Sequence, residues 1–186
     1  MDIEPARILT VCTGNICRSP AAERLLAAQL GPAVQVASAG VRAVVGHPID
    51  PPMAAMLRAD GVDADGFAAR QLTASEIREA DLILVMTRAH RSWVVEEEPS
   101  ALRRSFTLLE FARIIGAPEF PHVAGETAAE RLRASAALAA WHRHLGEVIR
   151  GDDVPDPYGR DGAAFADAYS LIAGAVRSIT RGTGIA

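Results

Sequence analysis

Cys12 and Arg18 stand with five residues between them, and Ser19 follows the arginine, in the stretch Val11-Cys-Thr-Gly-Asn-Ile-Cys-Arg-Ser-Pro20. A thiolate is a strong nucleophile, and a guanidinium is a planar fork that can bind two phosphate oxygens at once. Gly14 and Asn15 are residue types that tolerate positive φ, as a tight loop between them requires. The chemistry that suits this set is attack by sulfur on a bound phosphoryl group.

The flanking sequence builds a mount for that loop. Arg7-Ile-Leu-Thr-Val11 is apolar and β-branched and reads as a buried strand. Residues 19 to 30 are strong helix formers, with Ser19 placed to cap the helix and Pro20 suited to its first position. A strand–loop–helix turn of this kind is an anion site: the N–H groups from Thr13 to Arg18 can converge, and the helix end adds partial positive charge. The same field would favour a thiolate at Cys12. The plainer reading is a buried structural cysteine beside a capping serine.

Cys-x5-Arg-Ser resembles the phosphate loop of cysteine-based phosphatases. The full ten-residue string near the N-terminus is similar to the low-molecular-weight protein-tyrosine phosphatases. Asp156-Pro157-Tyr158, uninformative alone, looks like that family's second motif. The resemblance implies a protein-tyrosine phosphatase. In it Cys12 attacks phosphorus, Arg18 and the loop residues Thr13, Gly14, Asn15, Ile16 and Cys17 hold the phosphate, and Asp156 serves as general acid and base. Ser19 would donate to the Cys12 sulfur, and Asn15 would hold the loop in shape. Ile16 and Tyr158 would flank the substrate ring, with Val44 and Val45 as an apolar rim. Cys17 could form a disulfide with Cys12 under oxidation, or be merely a small buried side chain. The rim loop, residues 41 to 50, is similar in length to the bacterial branch associated with exopolysaccharide tyrosine kinases. One departure stands out: Phe67 occupies the place of a histidine that braces the loop in many relatives, which leaves Glu23 without its usual partner.

Composition narrows the field. At 186 residues, with 49% hydrophobic and 23% charged residues, the chain can bury the core of one globular domain. A net charge of −4 gives no reason to expect nucleic acid or an anionic membrane as partner. Met1 leads into Asp2 and Glu4, so no secretory leader is expected, and no apolar run is long enough to span a bilayer. Two cysteines argue against a disulfide scaffold and suit a reducing cytoplasm. The expected partner is a phosphotyrosine-containing protein, with a bacterial tyrosine kinase suggested by the family; the oligomeric state is left open. No cofactor and no metal are expected. His142 and His144 would sit two apart on a helix and point to different sides.

Along the chain, strands are predicted at 7–11, 34–38, 81–86 and 105–108. Helices are predicted at 19–30, 51–60, 88–98 and 126–150, with shorter ones after Thr73 and Thr107 and a last one after Asp161. Strands alternate with helices, so the class is α/β: a doubly wound, four-stranded parallel sheet with helices on both faces and the phosphate loop between strand one and helix one. Residues 1–186 read as one phosphatase domain with a helical elaboration at about 112–151. Leu132, Leu138, Trp141, Leu145 and Ile149 lie at helical intervals on the long helix, which is expected to pack on the domain; Asp152 and Asp153 are expected as solvent-facing turn residues, and the tail from Arg181 as frayed.

Three other activities fit the same loop. A related branch acts on phosphoarginine and, by resemblance, carries threonine where this chain has Ile16; an apolar side chain cannot accept hydrogen bonds from a guanidinium. Arsenate reductases share the fold, but the self-contained type needs two further cysteines, so only a version using an external thiol remains. A non-catalytic phosphate-binding module would need neither the thiol nor the acid.

Overall fold

The computed structural model describes residues 4–145 and 151–185. Four parallel strands form one sheet: β1 (Ala6–Cys12), β2 (Val34–Gly40), β3 (Leu82–Val85) and β4 (Ser105–Thr107), in the order β2-β1-β3-β4. Their residues alternate between two cores. Ile8, Leu82, Leu84 and Phe106 face one, and Leu9, Val11, Ile83 and Val85 face the other. Both faces are therefore covered, which is why β3 is an unbroken apolar run.

The first face carries α1 (Arg18–Leu30), α2 (Pro51–Ala59), α5 (Leu108–Ile115), α6 (Ala128–Trp141) and α7 (Gly162–Thr183). The second carries α3 (Ala74–Glu79), α4 (Arg88–Glu97) and a 3-10 turn, Pro99–Arg103. Capping boxes open α3, α5 and α6: Thr73, Thr107 and Thr127 each accept from the backbone N–H of the glutamate three residues on. The doubly wound sheet is as the sequence predicts. The chain leaves β1 for β2 on one side and places β3 on the other, so a crevice opens at the carboxyl end of β1. The Cys12 loop begins there.

Three local expectations are corrected. The long helix stops at Trp141 instead of continuing to 150, and 146–150, with Ile149, lie outside the described residues. Its end has a tertiary cause. Arg143 reaches Glu110 at 2.5 Å and the Ser105 carbonyl at 2.9 Å, with its guanidinium 4.1 Å above the Phe106 ring. Those contacts draw the chain off the helical path. Trp141 is thereby 72% exposed, with the Arg103 guanidinium over its ring. His142 and His144 both follow the helix, so no helical spacing separates them; their rings lie 6.1 Å apart. Lastly, α7 stays helical to Thr183, and the Thr180 and Thr183 hydroxyls lie 2.9 and 2.8 Å from the Val176 and Ile179 carbonyls of the preceding turn. Among the described residues no helix is long and apolar enough to cross a membrane.

Candidate active site

Cys12 ends β1 at the floor of a cavity of about 190 Å³. Two donors reach its sulfur: Ser19 Oγ at 2.9 Å and the Asn15 backbone N–H at 3.3 Å. Ser19 is therefore not the helix cap. Cys17 takes the N-cap position, and no side chain caps the helix. The Ser19 hydroxyl is committed to the sulfur, while its carbonyl accepts from the Thr10 hydroxyl at 2.9 Å.

Asn15 organises the turn. It is the one non-glycine residue with positive φ among the described residues, at 55°. Its amide donates to Ser19 Oγ at 2.9 Å and Ser38 Oγ at 2.8 Å, and its carbonyl oxygen accepts the Arg70 N–H at 2.9 Å. Both amide protons are thus used, so Ser19 keeps its own proton for Cys12 and Ser38 donates to Glu23. The resulting chain runs Glu23–Ser38–Asn15–Ser19–Cys12. Glu23 has its partner in Ser38, and Phe67 packs half-buried with the Arg24 guanidinium over its ring. Gly14 does not adopt positive φ and has ordinary space around it. The glycine that the loop demands is Gly40, where a Cβ would lie 2.5 Å from the Thr13 carbonyl oxygen.

Arg18 is 4% exposed yet charged. Nη1 donates to the Val154 carbonyl at 3.1 Å, Nη2 to Asp156 at 2.6 Å, and the buried Nε has no partner among the described residues. A guanidinium that lines a cavity is suited to binding an oxyanion there. The cavity is lined by the expected Cys12, Thr13, Gly14, Ile16, Cys17, Arg18, Val44, Asp156 and Tyr158. Arg42, which the motif reading passed over, also lines it; its backbone N–H donates to the Thr13 carbonyl, and Val44 N–H to that of Gly14. Val45 is outside the lining and 67% exposed. Burial pushes the Cys17 thiol up, with Asp50 and Cys12 adding to it.

The acid's loop is held by residues read wrongly from sequence. Asp152 pairs with Arg113 of α5 at 3.0 Å, and Asp153 accepts the Arg88 N–H at the start of α4 at 2.8 Å. Neither is a free turn residue. Val154 N–H then donates to the Met86 carbonyl at 2.8 Å. Asp153 and Val154 thereby pin the loop just past β3, Asp152 ties it to α5, and Asp156 is brought to Arg18. The side chain of Asp156 also accepts the Tyr158 N–H. A pair of aspartates before Val-Pro-Asp-Pro was the available signal, and turn composition masked it.

His90 was also missed. It is 7% exposed, at the first turn of α4, with Nε2 2.9 Å from Thr13 Oγ1 and Nδ1 2.9 Å from Thr87 Oγ1. Burial, reinforced by Arg18, lowers its pKa to about 4.

The family described as "Low molecular weight phosphotyrosine protein phosphatase" matches residues 7–118. The chain is 36% identical over 165 residues to the low molecular weight protein-tyrosine-phosphatase Etp of Escherichia coli K12, covering 89% of this chain and 86% of Etp. Among solved structures, the tyrosine phosphatase Wzb of Escherichia coli K30 in complex with sulphate matches with a TM-score of 0.70 and 26% identity, over 96% of this chain and 98% of Wzb. The YwlE arginine phosphatase of Geobacillus stearothermophilus matches with a TM-score of 0.71 and 28% identity, over 95% and 92%.

Proposed function

Because the chain belongs to the low-molecular-weight protein-tyrosine phosphatase family and is a hydrolase of that kind, we propose that it hydrolyses phosphotyrosine in proteins through a phosphocysteine at Cys12. The observation that carries the reading is the set of groups gathered at one cavity: a sulfur that accepts from two donors, and a carboxylate paired with a buried arginine. The Cys12 thiolate attacks phosphorus, and the P–O bond to the aryl group breaks. Protonated Asp156 gives its proton to that leaving oxygen. Asp156, now ionised, takes a proton from water, which attacks the phosphocysteine. Inorganic phosphate and the Cys12 thiolate are released. Arg18 and the loop N–H groups from Thr13 to Arg18 stabilise the equatorial oxygens in both steps. Ser19, donating to sulfur, eases its departure in the second.

Residues 1–186 act in this reading as one phosphatase domain, working in the cytoplasm. Its partner is a phosphotyrosine-bearing protein; a bacterial tyrosine kinase is the candidate that the family suggests. Phosphoarginine is the competing substrate, since YwlE is an arginine phosphatase of similar fold. Ile16, 8% exposed and lining the cavity, favours an aromatic ring over a guanidinium.

Hydrolysis of p-nitrophenyl phosphate by the reduced protein, by Cys12→Ser and by Asp156→Asn tests the mechanism. Turnover by wild type, lost in Cys12→Ser and strongly reduced in Asp156→Asn, is expected. An inert reduced wild type would overturn the reading and turn attention to thiol-dependent arsenate reduction. Phosphotyrosine and phosphoarginine peptides, compared by kcat/KM, then decide the substrate.

A further inference from the structure

His90 is a buried titratable side chain beside the cavity that the steps above do not use. Its surroundings fix its protons. The His90 backbone N–H donates to Thr87 Oγ1 at 3.3 Å, as a helix N-cap requires. Thr87 Oγ1 also lies 2.9 Å from Nδ1, and Thr13 Oγ1 lies 2.9 Å from Nε2. A neutral imidazole has one N–H and one lone pair on its ring nitrogens. If Nδ1 carried the proton, Thr87 Oγ1 would accept twice. Its own proton would then have no acceptor among the described residues, and the Thr13 proton would be spent on Nε2. If Nε2 carries it, every group is used once: Thr87 O–H donates to Nδ1, and Nε2–H donates to Thr13 Oγ1. The Thr13 hydroxyl proton is then left over, on a residue that adjoins Cys12 and lines the cavity.

We propose that His90 is a positioning residue that makes the Thr13 side chain a donor to a phosphate oxygen in the cavity. This rests on the phosphatase reading, and it adds to the loop N–H groups a side-chain donor whose direction is set from α4. The Thr87-x-x-His90 spacing that caps the helix also orients the ring. Without the histidine, the Thr13 hydroxyl would be free to rotate and spend its proton elsewhere.

The test joins a spectroscopic readout to binding and turnover. The ring ¹⁵N spectrum of His90 near neutral pH should place the proton on Nε2. His90→Leu and Thr13→Val should each weaken inorganic phosphate binding, read by calorimetry, roughly ten- to a hundredfold, as expected for a lost hydrogen bond to a charged group. The double variant should be no worse than either, and His90→Gln, whose amide can still donate to Thr13, should recover most of the loss. A proton on Nδ1, losses that multiply in the double variant, or undiminished phosphate affinity in His90→Leu would overturn the proposal. If His90→Leu does not fold, the wild-type spectrum and His90→Gln decide it. A wild type that binds phosphate with this dependence but turns over no aryl phosphate would instead overturn the phosphatase reading and leave the Thr13 donor standing.

Discussion

The Arg18 guanidinium and the Asp156 carboxylate meet at 2.6 Å, although the arginine side chain is 4% exposed and the aspartate side chain 52% exposed. The acid leans in from the rim to a cation on the cavity wall. In the proposed reaction a phosphate dianion needs the same guanidinium, and it would compete with Asp156 for Arg18.

Asp156→Asn should accordingly act in opposite directions on chemistry and on binding. Loss of the general acid is expected to lower kcat by roughly 10²–10⁴-fold. The loss should be larger for phenyl phosphate than for p-nitrophenyl phosphate, whose leaving group needs less protonation. Inorganic phosphate should inhibit the variant more tightly than wild type, because Arg18 loses its competing anion. Steady-state kinetics with phosphate as inhibitor reads both, and an unchanged kcat on phenyl phosphate would remove Asp156 from the mechanism.

The Glu23–Ser38–Asn15 chain should carry the rigidity of the loop. Ser38→Ala leaves one amide proton of Asn15 and the Glu23 carboxylate without their partner. A cost of about 1–3 kcal/mol follows, seen as a lower unfolding midpoint in urea. Turnover should fall further than stability alone explains, since Asn15 also sets the Ser19 proton. Phe67→His should change neither much; a large gain in activity would show that the existing chain is an incomplete brace.

Asp152→Asn should slow the reaction from outside the cavity. Its pair with Arg113 is one of the anchors that place Asp156, and both side chains are mostly buried, at 18% and 14% exposed. The expected signature is a lower kcat for aryl phosphates with inorganic phosphate binding almost unchanged. Equal losses in both would mean that the loop shapes the phosphate site itself.

Acid should destabilise the fold through His90. Its pKa is ordinary, near 6.5, in the unfolded chain and lowered to about 4 in the fold by burial and Arg18, against the opposing pull of Asp156 and Asp153. Between those values the unfolded chain binds the extra proton. The contribution is thus fully present above pH 6.5 and lost as pH falls through about 4. The full difference amounts to roughly 3 kcal/mol. Urea unfolding of wild type and His90→Gln from pH 7 to pH 4 measures it; parallel curves would show that His90 titrates alike in both states.

The strands, the sheet and the candidate residues Cys12, Arg18 and Asp156, which the structure brings to one cavity, were legible in the sequence because each belongs to a local pattern. Apolar runs with turn residues between them, capping boxes, and a ten-residue string all lie within a few neighbours of one another. Elements failed to read correctly where distant groups intervene. Arg143 ends α6 by reaching Glu110 and Phe106, and Asp152 looks like a turn residue until Arg113 meets it. Ser19 was legible in one of its two expected roles: its hydroxyl meets the Cys12 sulfur, but the N-cap place goes to Cys17.

The sequence by itself determined which groups can attack, bind and donate a proton, since those are properties of residue types. The tertiary structure alone decided how those groups are held: Arg18 buried against Val154 and Asp156, 136 and 138 residues away, and Thr13 turned by a histidine 77 residues downstream. A hydrogen bond has a partner and a direction. Composition names the donors and acceptors, but only the packing of β1, α4 and the 151–158 loop at one end of the sheet determines which of them meet.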